Sequence, residues 1–236
     1  MDNSTNLKLF DTSRQREITL TISFPNGSSR NEIVVFSHGY QTQEEMKRKF
    51  NIPGYKKYSY LEDFFTSNGY AFVSIQHDLS TDTDGLETID PQLVQHHARE
   101  HLYRRGVENI LFVLNELQRD FPHLNYDKFI ICGHSNGGDI SKYFANLYPE
   151  RISEVIAVDA RRCRIESNMR ILMFEANDTV TDDGVIPEAQ EMREKIDLTV
   201  VKPRDALHAG YCNDQVTDQL KSEVFRAISW FLKFTT

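Results

Sequence analysis

With 236 residues, 39% of them hydrophobic and 26% charged, the chain has an ordinary globular balance and length for one large α/β domain or two small ones. Its formal net charge of −8 argues against a general nucleic-acid binder, because phosphate contacts need a dense Lys/Arg surface. Three widely spaced cysteines, Cys132, Cys163 and Cys212, supply neither a disulfide framework nor zinc spacing.

The first twelve residues are polar and acidic, with no basic segment leading into an apolar one, so no signal peptide is expected. No run approaches the ~18 apolar residues of a membrane span. A soluble, cytoplasmic protein of a reducing compartment is the expectation. Residues 6–10 and 17–24 read as strands, and the turn Pro25-Asn26-Gly27-Ser28 separates the second from a third at 32–37. This opening is read as antiparallel. Ile33-Val34-Val35-Phe36 is continuously apolar, as a strand buried on both faces requires. Residues 71–75, 129–132, 155–158, 171–174 and 198–201 share that character, which makes about eight strands.

Helices are expected between them. Residues 58–67 end at Asn68-Gly69, a C-cap pair. Residues 98–117 place Val107, Ile110, Leu111 and Leu114 on one face. Residues 135–147 stop before Pro149, and 214–231 carry the stripe Val216, Leu220, Val224, Ile228 and Phe231. No repeat, low-complexity tract or linker interrupts the chain. The alternation predicts a single α/β domain over residues 1–236, a mostly parallel sheet with helices on both faces.

The strongest local signal is Cys132-Gly133-His134-Ser135-Asn136-Gly137-Gly138, a Gly-x-Ser-x-Gly pattern between a buried strand and a helix. A sharp strand-to-helix turn lifts the serine hydroxyl from the sheet edge. Residues two before and two after crowd that turn, so both must be glycine. The adjoining helix N-terminus favours negative charge developing beside the serine. A second feature is Ser37-His38-Gly39-Tyr40, at the end of the third strand.

These segments carry a family resemblance. Gly133-His134-Ser135-Asn136-Gly137-Gly138, with Tyr143-Phe144 and Leu147-Tyr148-Pro149-Glu150-Arg151-Ile152, resembles the elbow helix of esterase and lipase-like α/β-hydrolases. Val34-Val35-Phe36-Ser37-His38-Gly39 and Asn68-Gly69-Tyr70-Ala71-Phe72-Val73-Ser74-Ile75 resemble the dienelactone-hydrolase, platelet-activating-factor acetylhydrolase and chlorophyllase-like ester hydrolases. Dienelactone hydrolases use a cysteine nucleophile where this chain has Ser135. The resemblance implies the α/β-hydrolase fold and a serine esterase acting on a small-molecule ester without cofactor or metal. Residues 160–168 are too few for the helical cap that many members insert there, so no large cap and a solvent-reached pocket are expected. The longer loops, residues 41–57 and 77–98, would wall the site.

In this fold the order along the chain is serine, acid, histidine. His208 is the one histidine after Ser135, which makes it the general base. Asp178, after the seventh strand, is the expected acid; Asp159, after the sixth, is the alternative, and Glu175 ranks behind both. The backbone N–H groups of Asn136 and Tyr40 are expected to form the oxyanion hole. His38 reads as a structural histidine of that loop, with substrate contact as the other reading. Arg161 and Arg162, with Arg164, are either a solvated basic loop or a clamp for an anionic substrate group. His96, His97 and His101 lack supporting metal ligands, and Asp82-Thr83-Asp84-Gly85 lacks an EF-hand's terminal glutamate. A thioesterase, an amidase or peptidase, an acyltransferase and a non-catalytic binding protein on the same scaffold remain open at this point. Oligomeric state has no signal in the sequence.

Overall fold

The structure, a computed structural model, describes residues 3–188, 190, 194 and 196–234. These form one eight-stranded sheet in the order β1-β2-β4-β3-β5-β6-β7-β8. The strands are β1 (Ser4–Asp11), β2 (Arg16–Ser23), β3 (Glu32–Ser37), β4 (Ala71–Ile75), β5 (Asn125–His134), β6 (Ile152–Val158), β7 (Arg170–Phe174) and β8 (Asp197–Val201). β1 and β2 pair antiparallel, and β2 pairs antiparallel with β4. From β4 to β8 every pairing is parallel.

Side chains alternate between the two faces of each strand, so the continuous apolar runs feed two separate cores. Ile33, Val35, Ile131, Val155, Ala157, Ile171 and Met173 face one core. Helices α1 (Gln43–Lys47), α2 (Ser59–Ser67), α3 (Gln95–Ala98), α4 (Glu100–Asp120) and α5 (Asn136–Leu147) precede the closing helix, and in this core the strands meet Tyr103, Val107, Ile110 and Leu114 of α4 and Ile140 and Phe144 of α5. Val34, Phe36, Ile130, Cys132, Ile156, Val158, Leu172 and Phe174 face the other. That side is covered by Leu61 and Phe65 of α2 (Ser59–Ser67) and by Leu220, Val224, Ile228 and Phe231 of the closing helix, Asp218–Leu232. Each such side chain contributes roughly 1.5–3 kcal/mol on burial.

Register places the site. Ser37 pairs with Gly133, His134 with Val158, Val158 with Phe174 and Phe174 with Val201. The carboxyl ends of β3, β5, β6, β7 and β8 are therefore flush, and the residues that leave them share one edge. No cap is inserted after β6, where an irregular loop leads directly to β7 among the described residues.

Two starting points differ from the sequence reading by four residues. β5 starts at Asn125 rather than 129; against β3 its register shifts between Asn125 and Ile130, an irregularity that takes up the polar Asp127-Lys128 pair. The closing helix starts at Asp218 rather than 214, because Thr217 caps it: its hydroxyl accepts the Leu220 N–H at 3.2 Å.

Candidate active site

Ser135 connects β5 to α5 with φ 54° and ψ −123°, a backbone conformation costly for any residue with a side chain. A Cβ on Gly133 would overlap the Gly137 carbonyl, and one on Gly137 would overlap the Ser37 carbonyl. The two glycines are what allow this turn. Ser135 N–H donates to Val158 O at 2.8 Å, tying the elbow to β6.

His208 reaches the elbow from the loop after β8. Its ring lies 4.7 Å from that of His134, the residue before Ser135. Its Nδ1 meets Asp159 Oδ2 in a short hydrogen bond. Asp159 is 2% exposed and leaves β6 in the left-handed region, with φ 42°. That turn swings the carboxylate across to the loop after β7, where Ala176 N–H donates at 3.0 Å and Thr179 Oγ1 at 2.9 Å. Burial alone would raise its pKa. The hydrogen bonds from His208, Ala176 and Thr179 together outweigh burial and hold it below the usual carboxylate range.

Asp178, the acid expected from the sequence, does not meet the imidazole. It is exposed, and its Oδ1 accepts the backbone N–H of His208 at 2.8 Å. The physical reason lies in the loop after β7. Ala176 N–H and Thr179 point inward to Asp159, and Asp178 then lies on the outer side, against the main chain of His208. Glu175 is likewise not at the ring; its N–H pairs with Val201 O at 2.9 Å.

The loop after β3 runs against the elbow: a Cβ on Gly39 would sit 3.4 Å from Ser135 Cβ. Gly39 N–H donates to Tyr58 Oη at 3.2 Å, and Gln41 N–H donates to Asp78 Oδ2 at 3.2 Å. Tyr40 N–H, between them, has no acceptor among the described residues. Asn136 N–H opens α5 and has no intrahelical partner. Both donors expected for the oxyanion are thus unoccupied. His38 is not available to a substrate. It is 1% exposed; its Nδ1–H donates to Gly39 O at 2.6 Å and its Nε2 accepts His77 N–H at 2.9 Å.

Two networks escaped the sequence reading. His134 Nδ1 accepts from Tyr58 Oη at 2.8 Å, and its Nε2–H donates to His208 O at 3.0 Å. This chain links the Gly39 loop, the elbow and the main chain of His208. Burial first, then the neighbouring His208, pushes the His134 pKa down to about 3, so the ring stays neutral and keeps this polarity. The second network is buried behind Tyr40. Asp78 braces Gln41 and accepts from Arg105 Nη2 at 3.2 Å, while His77 Nε2 meets Ser37 Oγ at 2.9 Å. Burial raises the Asp78 pKa against the pull of His38, Gln41 and Arg105. The sequence signal was His77-Asp78, which follows the end of β4 after one residue, Gln76.

Arg161 and Arg162 follow Asp159 after one residue, Ala160. Arg161 Nε stands 3.6 Å from Asp159 Oδ2, and Arg162 Nη1 pairs with Asp182. Their loop is anchored by a fully buried pair on α5. Lys142 Nζ lies 3.1 Å from Asp139 Oδ1 and donates to Ala160 O at 3.0 Å, and Asp139 Oδ1 also accepts the N–H groups of Arg162 and Cys163. Cys132, Cys163 and Cys212 are unpaired. Among the described residues no group of three or more His, Cys, Asp or Glu is placed to hold a metal, and no helix is long and apolar enough to cross a membrane.

No known family model matches the chain. Over 132 residues, 52% of its length, it is 28% identical to a serine hydrolase-like protein of Danio rerio, and it spans only 38% of that relative. Among solved structures it superposes on an esterase of Pyrobaculum calidifontis with a TM-score of 0.65 at 11% identity, covering 99% of this chain and 86% of that one. An α/β serine hydrolase without a lid from Xanthomonas campestris gives a TM-score of 0.61 at 12% identity, with 98% and 94% covered. Dienelactone hydrolase from Anabaena variabilis gives 0.55 at 16% identity, with 99% and 100% covered. At these identities the likeness is one of fold, and the chain has the α/β-hydrolase fold.

Proposed function

We propose that this single-domain chain is a serine hydrolase that cleaves a small-molecule carboxylic ester or thioester through an acyl-enzyme on Ser135, with His208 as base and Asp159 as the acid that orients it. The observation that carries the reading is the convergence of a strained serine elbow and a His208–Asp159 pair on one sheet edge.

In this mechanism Asp159 fixes His208 as the Nδ1–H tautomer. Nε2 then takes the Ser135 proton as Oγ attacks the ester carbonyl. The Tyr40 and Asn136 N–H groups receive the oxyanion, aided by the N-terminus of α5. Collapse of the tetrahedral adduct expels the alkoxide or thiolate, which takes the proton from His208. Water, deprotonated by the same nitrogen, then attacks the acyl-enzyme and releases the acid and Ser135. No cofactor is required. Each oxyanion donor contributes ~2.7–4 kcal/mol to such a transition state. Asp178 is a positioning residue that holds the main chain of the base. A cytoplasmic location belongs to this proposal.

The test is a panel of 4-nitrophenyl esters and thioesters of graded acyl length, read for turnover and for an initial burst. Turnover that disappears in Ser135→Ala supports the reading. A folded protein that turns over no ester, thioester or amide points to a binding protein on this scaffold.

A further inference from the structure

Tyr40 brings more to the loop after β3 than its N–H. Its side chain crosses to the loop after β4, where its hydroxyl donates to Glu87 Oε2 at 2.6 Å. Gly85 is buried against that contact: a Cβ there would overlap both the Tyr40 hydroxyl and the Glu87 carboxylate. Gly85 has φ −77° and ψ 177°, a conformation open to any residue, so the overlap is what excludes a side chain. A hydrogen bond from a hydroxyl to a carboxylate is of the stronger kind.

The segment that supplies Glu87 is itself tied down. Arg105 Nη1 donates to Asp84 Oδ1 at 2.6 Å, and His101 Nε2–H donates to Asp84 O at 2.9 Å. Arg16 Nη1 donates to Asp82 Oδ1 at 2.7 Å, and Gln43 Nε2 donates to Asp82 O. Glu87 then lies in a single helical turn, Leu86–Thr88, which Thr88 closes by donating to Gly85 O from its N–H at 3.1 Å and its Oγ1 at 2.7 Å. At the main-chain end of Tyr40, the N–H groups on either side are held by Tyr58 and Asp78. Tyr40 is therefore held at three points, and its own N–H is the donor left without an acceptor among the described residues.

We infer that the Tyr40 phenol and Glu87 are positioning residues, which act through the backbone of Tyr40 to keep its N–H aimed where the oxyanion forms. An oxyanion donor is effective because it is aimed before charge develops; one that must reorient at that moment loses part of its effect. The bonds at Gly39 and Gln41 restrain the loop at its neighbouring N–H groups. The phenol adds a remote third point, and Glu87 is the acceptor that fixes it. This inference rests on the hydrolase reading for its effect on rate, whereas the restraint on the loop can be measured without turnover.

The experiment has two arms on the full chain, with Tyr40→Phe, Glu87→Ala, Glu87→Gln and the combination of the first two. The first arm reads kcat and KM on a 4-nitrophenyl ester. Removing an oxyanion donor outright costs ~10²–10³ in kcat, and a donor that is only loosened should cost about tenfold in Tyr40→Phe and in Glu87→Ala. KM should move by less than about twofold. The combination should lose no more than the worse single variant, since both remove one bond. Glu87→Gln keeps an acceptor oxygen and should recover most of the loss. The second arm reads amide hydrogen exchange over residues 39–41. Exchange at Gln41 N–H should quicken by about threefold or more in Tyr40→Phe and Glu87→Ala, and return towards the parent rate in Glu87→Gln. Unchanged exchange overturns the restraint, whether or not any ester is turned over. Faster exchange with kcat unchanged, or with losses that multiply in the combination, overturns the positioning role. If exchange responds but the unmodified protein turns over no ester, the restraint stands and the positioning role falls with the hydrolase reading.

Discussion

Replacing Asp159 with asparagine should remove most activity while leaving the fold in place. The Asp159 carboxylate accepts from the His208 ring, from Ala176 N–H at 3.0 Å and from Thr179 Oγ1 at 2.9 Å. Asparagine keeps one acceptor oxygen, and the Ala176 and Thr179 donors hold it. The amide nitrogen then faces His208 Nδ1 and donates to it. That places the imidazole proton on Nε2, where no lone pair is left to take the Ser135 proton. An asparagine in the same role of a serine-protease triad lowers kcat by ~10⁴, which is about 5.4 kcal/mol of transition-state stabilisation. Asp178→Asn is expected to act differently. Its exposed side chain still accepts the His208 N–H, so kcat/KM should stay within about threefold. The assay is kcat/KM on an activated ester for both variants, with urea unfolding as the control for folding. Activity within tenfold of the parent in Asp159→Asn, together with collapse in Asp178→Asn, would refute this assignment and return the acid to the loop after β7.

Two stability predictions follow from buried groups. Lys142→Met leaves the Asp139 carboxylate buried without its counter-charge and Ala160 O without its donor, which should cost about 3–5 kcal/mol. Adding Asp139→Asn should recover part of it; a single-variant loss below about 1 kcal/mol in urea unfolding would contradict the pairing. The second concerns acid. Burial, first among its causes, lowers the pKa of His38, His77 and His134, the last to about 3. Between the unfolded value of about 6.5 and the lower folded value, the unfolded chain holds protons that the folded chain does not, so stability falls as pH falls. Each ring contributes up to about 1.4 kcal/mol per pH unit in that window. The urea midpoint should therefore drop between pH 7 and pH 5, before Asp159 titrates; a flat midpoint would contradict neutral burial of these rings.

The sheet was legible because a parallel strand covered on both faces leaves an unbroken apolar run, as in residues 33–36 and 155–158. The elbow was legible because steric crowding admits only glycine at positions 133 and 137. His208 followed from chain order. The partner of its ring did not, because two aspartates leave adjacent strand ends and what separates them is tertiary. The left-handed turn at Asp159 and the inward N–H of Ala176 have no sequence signature. One hint was present: Asp159 follows the wholly apolar Val155-Ile156-Ala157-Val158 without a spacer, which carries its carboxylate into the buried edge. Tyr58 and Arg105 were missed for a similar reason, since each joins its network from a helix terminus or face remote in sequence from the loop it braces.

If Ser135 is an activated nucleophile, covalent capture will find it. The full chain is treated with a fluorophosphonate, and intact mass and peptide mapping are read beside Ser135→Ala. One adduct is expected, on the peptide that carries Ser135, and none in the variant. A folded protein that takes no adduct, or an adduct that persists in Ser135→Ala, would contradict it.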